Sequence, residues 1–245
     1  MARPVSKHSV SAQRAAAVIK ARRDETATRE EAALAAMPEP EVIIHDDVPQ
    51  DSDEWRKLRL GLATASEFST IMSESDAALT RTKLLRQLAG EVLTGEPKSD
   101  FSNRYTDRGK ALEPVARDWY MRTRLTAVQQ VGFVFNKTLN AGWSPDGLVG
   151  DDGALEIKCV EPHILIGILE RGVFPPEHRP QCFGGAFVIG RRQWLDLVIY
   201  SHEKIRPFVA RIEPNPAYQA TIAREIERFN WDLQTLVKKI RSMQR

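Results

Sequence analysis

The chain has 245 residues, enough for one sizeable domain with appendages or two small domains. Hydrophobic residues make up 42% and charged residues 28%, and no run approaches the roughly 18 apolar residues that a bilayer-spanning helix needs. The net charge of +2 leaves a nucleic-acid substrate open, because acids gathered around a metal offset a basic groove.

Residues 1–45 differ from the rest. Eleven of the first forty are alanine, charges of both signs alternate, and no Phe, Trp or Tyr precedes Trp55. Helix propensity is high there but little can anchor a core, so a helical or partly disordered extension is expected, closed by Pro38-Glu39-Pro40. This N-terminus also lacks the uninterrupted apolar core of a signal peptide, so a cytoplasmic setting is expected, with no membrane partner. A domain over 46–245 follows.

ATASEFSTIM reads as a helix start that Thr64 or Ser66 can cap. Leu84, Leu85, Leu88 and Val92 fall at helical spacing, with Gly95 as the stop. In RGKALEPVARDWYMRT the apolar positions Val115, Ala116, Trp119 and Tyr120 mark another helix. Pro114 suits its first turn, which places Glu113 at or beside the N-terminus. Strand-like runs follow at 129–135, 141–150, 154–160 and 193–201, with two helical stretches between the last two. Ile222, Ile226, Phe229, Leu233, Leu236 and Ile240 describe one amphipathic closing helix. Trp55, Trp119 and Trp231 read as core residues. The order predicts an α/β or α+β fold.

Gly150-Asp151-Asp152-Gly153 is strong turn chemistry, so 141–150 and 154–160 are expected to form a hairpin. On the second strand Glu156, Lys158 and Val160 share one face, and Leu155, Ile157 and Cys159 the other. Asp146 comes near if the partner strand folds back. Two carboxylates and an ammonium on one patch suit phosphodiester hydrolysis, with the acids holding a cation and the amine offsetting developing charge. On spacing alone an exposed cross-strand ion pair, contributing at most about 1 kcal/mol, competes with that reading.

The two cysteines, Cys159 and Cys182, stand alone, and the histidines at 8, 45, 163, 178 and 202 show no ligand spacing. That disfavours zinc and iron–sulfur clusters and leaves Mg²⁺, or Mn²⁺ in its place, as the expected metal.

SPDGL followed by LEIKC is the PD-(D/E)xK nuclease signature. Three further stretches, EWRKLRLGLATASEF (54–68), RGKALEPVAR (108–117) and PEHRPQCFGGAFV (176–188), join it. Together they resemble the phage lambda exonuclease, or YqaJ-like viral recombinase, family, from about Asp53 to the closing helix. The resemblance implies a restriction-endonuclease-like core with a central mixed sheet flanked by helices. It also implies a Mg²⁺-dependent 5′-to-3′ exonuclease on linear double-stranded DNA, assembled as a homotrimeric ring and working beside a single-strand annealing protein. A phage or prophage protein in a bacterial host would fit.

Residue by residue, Asp146 and Glu156 match the metal-binding acids, the backbone carbonyl of Ile157 a further ligand, and Lys158 the catalytic lysine. Glu113 matches an acid from the preceding helix, and Gln181 a glutamine from the following one. Arg59, with Thr64 and Ser66 at a helix start, matches the elements that receive a DNA 5′-phosphate, in keeping with the anion preference of guanidinium groups and helix N-termini. Two departures stand out. Phe183 occupies the place of a second glutamine, and His178 that of a tyrosine, followed by Arg179-Pro180. The competing readings are a restriction- or repair-type endonuclease, a catalytically silent DNA-binding scaffold, and an interaction protein acting through residues 1–45.

Overall fold

The structure, a computed structural model, describes residues 25, 28, 29, 32, 39–73, 78–97, 104–190 and 192–243. Its strands form two four-stranded sheets. The first runs β1 (Val42–His45), β3 (Phe133–Asn136), β4 (Ala141–Trp143), β2 (Ala63–Thr64). The second runs β5 (Gly147–Val149), β6 (Gly153–Cys159), β7 (Trp194–Tyr200), β8 (Phe208–Ile212).

The expected strand over 141–150 is thus divided between the sheets. Ser144-Pro145-Asp146 separates β4 from β5, and Pro145 has no N–H to continue a ladder. Beyond that break β5 turns through Gly150, at φ 55°, and pairs antiparallel with β6, with Gly147 opposite Leu155. The expected hairpin is present. Of the 129–135 run, Gln129 makes only an isolated bridge to Leu148, and the strand proper begins at Phe133.

β6 pairs parallel with β7, and the connection between them passes through α5 (Pro162–Arg171) and α6 (Arg179–Ile189). Side-chain alternation on β6 and β7 divides the interior into two cores. Leu155, Ile157, Val198 and Tyr200 pack against Ala116 and Tyr120 of α4 (Arg104–Arg124). Ala154, Leu195, Leu197 and Ile199 face the other way, into a larger core with Phe68, Trp143, Cys182 and Phe229. Glu156 shares that second face, in the layer reached by α6.

Three sequence-based expectations need correction. First, α4 does not begin at Pro114. It starts ten residues earlier and carries the proline inside, so Glu113 lies mid-helix, away from any N-terminal dipole. Leu112, Ala116, Trp119 and Tyr120 packing on the second sheet hold the helix together across the missing N–H.

Second, ATASEFSTIM forms no continuous helix. It gives β2, a 3₁₀ turn (Ala65–Glu67) and the single-turn α2 (Phe68–Ile71). Third, Val42–His45, inside the span read as an extension, is β1 and pairs antiparallel with β3. Most of residues 1–38 lie outside the described residues.

The longer remaining helices follow their patterns. They are α3 (Ala78–Thr94), closed by Gly95 at φ 74°, and α7 (Pro216–Met243), while α1 (Asp53–Leu58) is a helix that the sequence pattern did not announce. Ile222, Ile226, Phe229 and Leu233 of α7 are buried, joined by Val237, and Leu236 is partly buried. Trp231 is not in the core. It sits on the outer face of α7 and is 67% exposed.

Candidate active site

A cleft of about 460 Å³ opens where the two sheets and α4, α6 and the α1–β2 connection meet. It is lined by every residue that the sequence analysis assigned to the site. Asp146, Glu156, Lys158, Glu113 and Gln181 are there, with the Ile157 backbone, and so are Arg59, Thr64 and Ser66.

The floor comes from the hairpin. Asp146 stands at the start of β5, and its Oδ2 accepts from the backbone N–H of Ile157 on β6, which fixes the acid against its neighbour strand. Glu156 is only 2% exposed. Its Oε1 accepts from Lys158 Nζ at 2.9 Å and from Gln181 Nε2, and Oε2 accepts from Trp143 Nε1 at 3.3 Å. This burial overturns the reading of an exposed cross-strand pair. Gln181 reaches the site although Phe183 and His178 depart from the family pattern. His178 stands close enough for the Lys158 ammonium, after burial itself, to push its imidazole below the ordinary pKa.

One wall belongs to α4. Glu113 pairs with Arg117 one turn on, and Arg117 also donates through Nε to the backbone carbonyl of Asp146 at 2.9 Å. Arg117 is 8% exposed and ties the helix acid to the strand acid. The sequence reading missed Arg117, although it closes the RGKALEPVAR stretch. It also missed Trp143, whose indole N–H donates to Glu156.

The opposite wall is built by α1 and the turn after it. Ser52 Oγ accepts from the Trp55 N–H and caps α1, and the Trp55 indole is held by the Gly132 carbonyl and Ser144 Oγ. The Arg59 guanidinium lies 4.0 Å from the centre of that ring, with Nη2 3.4 Å from Thr64 Oγ1. Trp55 is thus both core and site. Thr64 and Ser66 hydroxyls lie 3.2 Å apart, and Glu67 accepts from the Thr64 N–H. The turn here is three residues of 3₁₀ helix before a single α-turn, so it has little macrodipole to offer an anion.

Electrostatics mark the floor as strained in charge. Burial first, then Glu156 and Glu113, hold the Asp146 carboxyl well above the usual carboxylate range. Burial pulls the Lys158 ammonium down, but Glu156 and Asp146 outweigh it and hold it above its ordinary value. Burial, then Glu113 and Asp146, push the Cys159 thiol up to about 11. Among the described residues no three acid, histidine or cysteine side chains already close around one point. Glu156 Oε1 is engaged by Lys158 and Gln181, and Glu113 by Arg117. The donor chemistry nevertheless fits a hard cation. It consists of carboxylate and carbonyl oxygens, and mutual repulsion among the three acids is what added positive charge would relieve.

The comparisons with known proteins agree on kinship. The YqaJ-like viral recombinase domain matches residues 54–192. The alkaline exonuclease LHK-Exo of Laribacter hongkongensis is 31% identical with a TM-score of 0.71, over 78% of this chain and 97% of that one. The same enzyme in complex with dAMP is 32% identical with a TM-score of 0.72, over the same shares. A phage-related exonuclease from Haemophilus somnus 129PT, 16% identical with a TM-score of 0.55 over 76% of this chain and 99% of that one, shares the fold. No curated protein sequence matches the chain significantly. With the family's domain matched over more than half its length, and a nuclease of 31% identity spanning most of it, the chain belongs to the YqaJ-like viral recombinase family and is a nuclease of the lambda-exonuclease type.

Proposed function

We propose that the chain is a Mg²⁺-dependent exonuclease that degrades one strand of linear double-stranded DNA from its 5′ end, leaving a 3′ single strand for annealing. The observation that carries this is the meeting, in one cleft, of an acid–acid–lysine floor with a guanidinium and two hydroxyls on the facing wall. Asp146, Glu156, Glu113 and the Ile157 carbonyl would hold the cation. When bound, Mg²⁺ supplies positive charge to the scissile phosphate and makes the attacking water more acidic.

The rest is done by the chain. Lys158, paired with Glu156, would donate to oxygen that gains charge. Gln181 and Trp143 fix the Glu156 carboxylate. Arg59, held over the Trp55 ring, would present its fork with the Thr64 and Ser66 hydroxyls to the terminal phosphate. A ring-shaped homotrimer and a separate single-strand annealing protein complete the proposed assembly.

Digestion of a linear duplex labelled at one end tests activity, polarity and metal need together. Release of a 5′ label as the first product in Mg²⁺, and none in EDTA, is expected. Early release of a 3′ label, or cutting of covalently closed circles, would replace this reading with the reverse polarity or an endonuclease.

A further inference from the structure

We infer that the outer face of α7 is a binding surface for single-stranded DNA, separate from the cleft. The inner face of this 28-residue helix is spent on the core through Ile222, Ile226, Phe229, Leu233 and Val237. On the opposite side, Arg224, Arg228, Trp231, Thr235 and Lys238 recur at intervals of four, three, four and three, so they form one stripe along the axis. All five are exposed, and Lys239 lies beside them. At 1.5 Å per residue the stripe is about 21 Å long, room for several nucleotides of an extended strand.

Two features select the ligand. Arg228, Lys238 and Lys239 make no ion pair among the described residues, whereas Arg224 pairs with Glu225 at 3.4 Å. Among the described residues of α7, Glu227 at the edge is the one exposed acid near the stripe. A positive strip of this kind suits a phosphate backbone.

The second feature is Trp231, which is 67% exposed at the middle of the strip. The core does not cover it, so the indole presents a flat apolar face to solvent. Basic side chains before and after a bare aromatic ring are the elements with which non-specific single-strand binders hold backbone and stack bases. A duplex keeps its base faces covered and would use the cations but not the ring. The helix packs through its buried side on α3 and α6, the latter bearing Gln181, so such a surface is rigidly joined to the cleft.

The proposal concerns binding alone and does not rest on the polarity or metal dependence of cleavage. The test uses the full chain in EDTA, where binding is read without digestion. Fluorescence anisotropy of a labelled 30-nucleotide oligothymidine and of a blunt 30-base-pair duplex is followed for wild type, Trp231→Ala, Trp231→Phe and Arg228→Glu/Lys238→Glu.

About tenfold weaker oligothymidine binding is expected for Trp231→Ala, with recovery in Trp231→Phe and little change for the duplex. The double charge reversal should weaken the single strand further and flatten its salt dependence. Unaltered melting temperatures are expected, since each side chain is exposed. Equal losses for single strand and duplex would overturn the choice of ligand, and undiminished binding by every variant would overturn the surface. A change in solution mass with unchanged DNA binding would assign the stripe to a second copy of the chain and also overturn it.

Discussion

Asp146 carries the sharpest consequence at the scale of single residues. Its carboxyl is held above the ordinary range first by burial and then by Glu156 and Glu113. An acid whose folded pKa is raised leaves stability intact below the unfolded value near 3.9. It then costs stability as pH rises towards the folded value, and above that value the full cost persists. Asp146→Asn removes that cost. In EDTA at pH 8 the variant is expected to melt at or above the wild-type temperature, while the rise on adding Mg²⁺ shrinks. For the wild type a hundredfold excess over Kd is worth about 2.7 kcal/mol. Cleavage should fall at least about a hundredfold, the equivalent of several kcal/mol of lost transition-state stabilisation. Calorimetric melting with and without Mg²⁺ checks both, and a variant that melts lower yet still cleaves would remove Asp146 from the site.

Arg59→Ala is expected to lower the preference for 5′-phosphorylated over 5′-hydroxyl ends by about tenfold or more, since hydrogen bonds to charged groups contribute about 1.5–3 kcal/mol. Initial rates on the two substrates give the ratio, and an unchanged ratio would free Arg59 from phosphate. The juxtaposition of Asp146, Glu156 and Lys158 was legible in the sequence because a turn signal and strand alternation put them on one patch, and the family resemblance gave that patch its expected role. Arg117 was not, because a Glu-Arg pair four apart reads as an ordinary helix-surface contact. Only the fold shows its Nε on the Asp146 carbonyl.

At the scale of elements, α6 must approach the sheet closely enough for Gln181 to touch Glu156, and glycines permit it. A Cβ on Gly184 would fall 2.2 Å from the Phe68 ring, and one on Gly185 2.6 Å from the Trp143 ring. Both rings are fully buried, so neither can swing aside. Gly185→Ala is therefore expected to destabilise the fold by about 1–3 kcal/mol through overpacking. Trp143 would be displaced from Glu156, so activity should fall as well. Gly167→Ala, in the middle of α5, meets only the flexible end of Arg171 at 3.6 Å and should be neutral or stabilising by up to about 1 kcal/mol. Denaturant melts of the two variants make the comparison, and equal stability would mean that the helix stands further from Trp143. Periodicity showed α3 and α7 in advance. It misplaced the start of α4, because proline normally marks a first turn and only tertiary packing carries a helix through one. It passed over β1 and β8, short edge strands whose residues are mostly half-buried and so lack the apolar run of β7.

For the whole molecule, the cleft is built by residues of one chain. Nothing in such a cleft tells a chain end from an interior 5′-phosphate at a nick, because Arg59, Thr64 and Ser66 would meet the same group in both. Dependence on an end must come from enclosure, and a closed ring of copies supplies it, since a duplex enters a ring only by threading. The homotrimer proposed from family resemblance then makes two linked expectations. The solution mass should be three times that of one 27.6 kDa chain. A nicked circle should resist digestion although it carries a 5′-phosphate, and cutting the opposite strand at the nick should render it a substrate. Light scattering and agarose electrophoresis read the two outcomes. A monomeric mass together with digestion from the nick at the linear rate would show that the open cleft acts alone, and end dependence would then rest on phosphate recognition without threading.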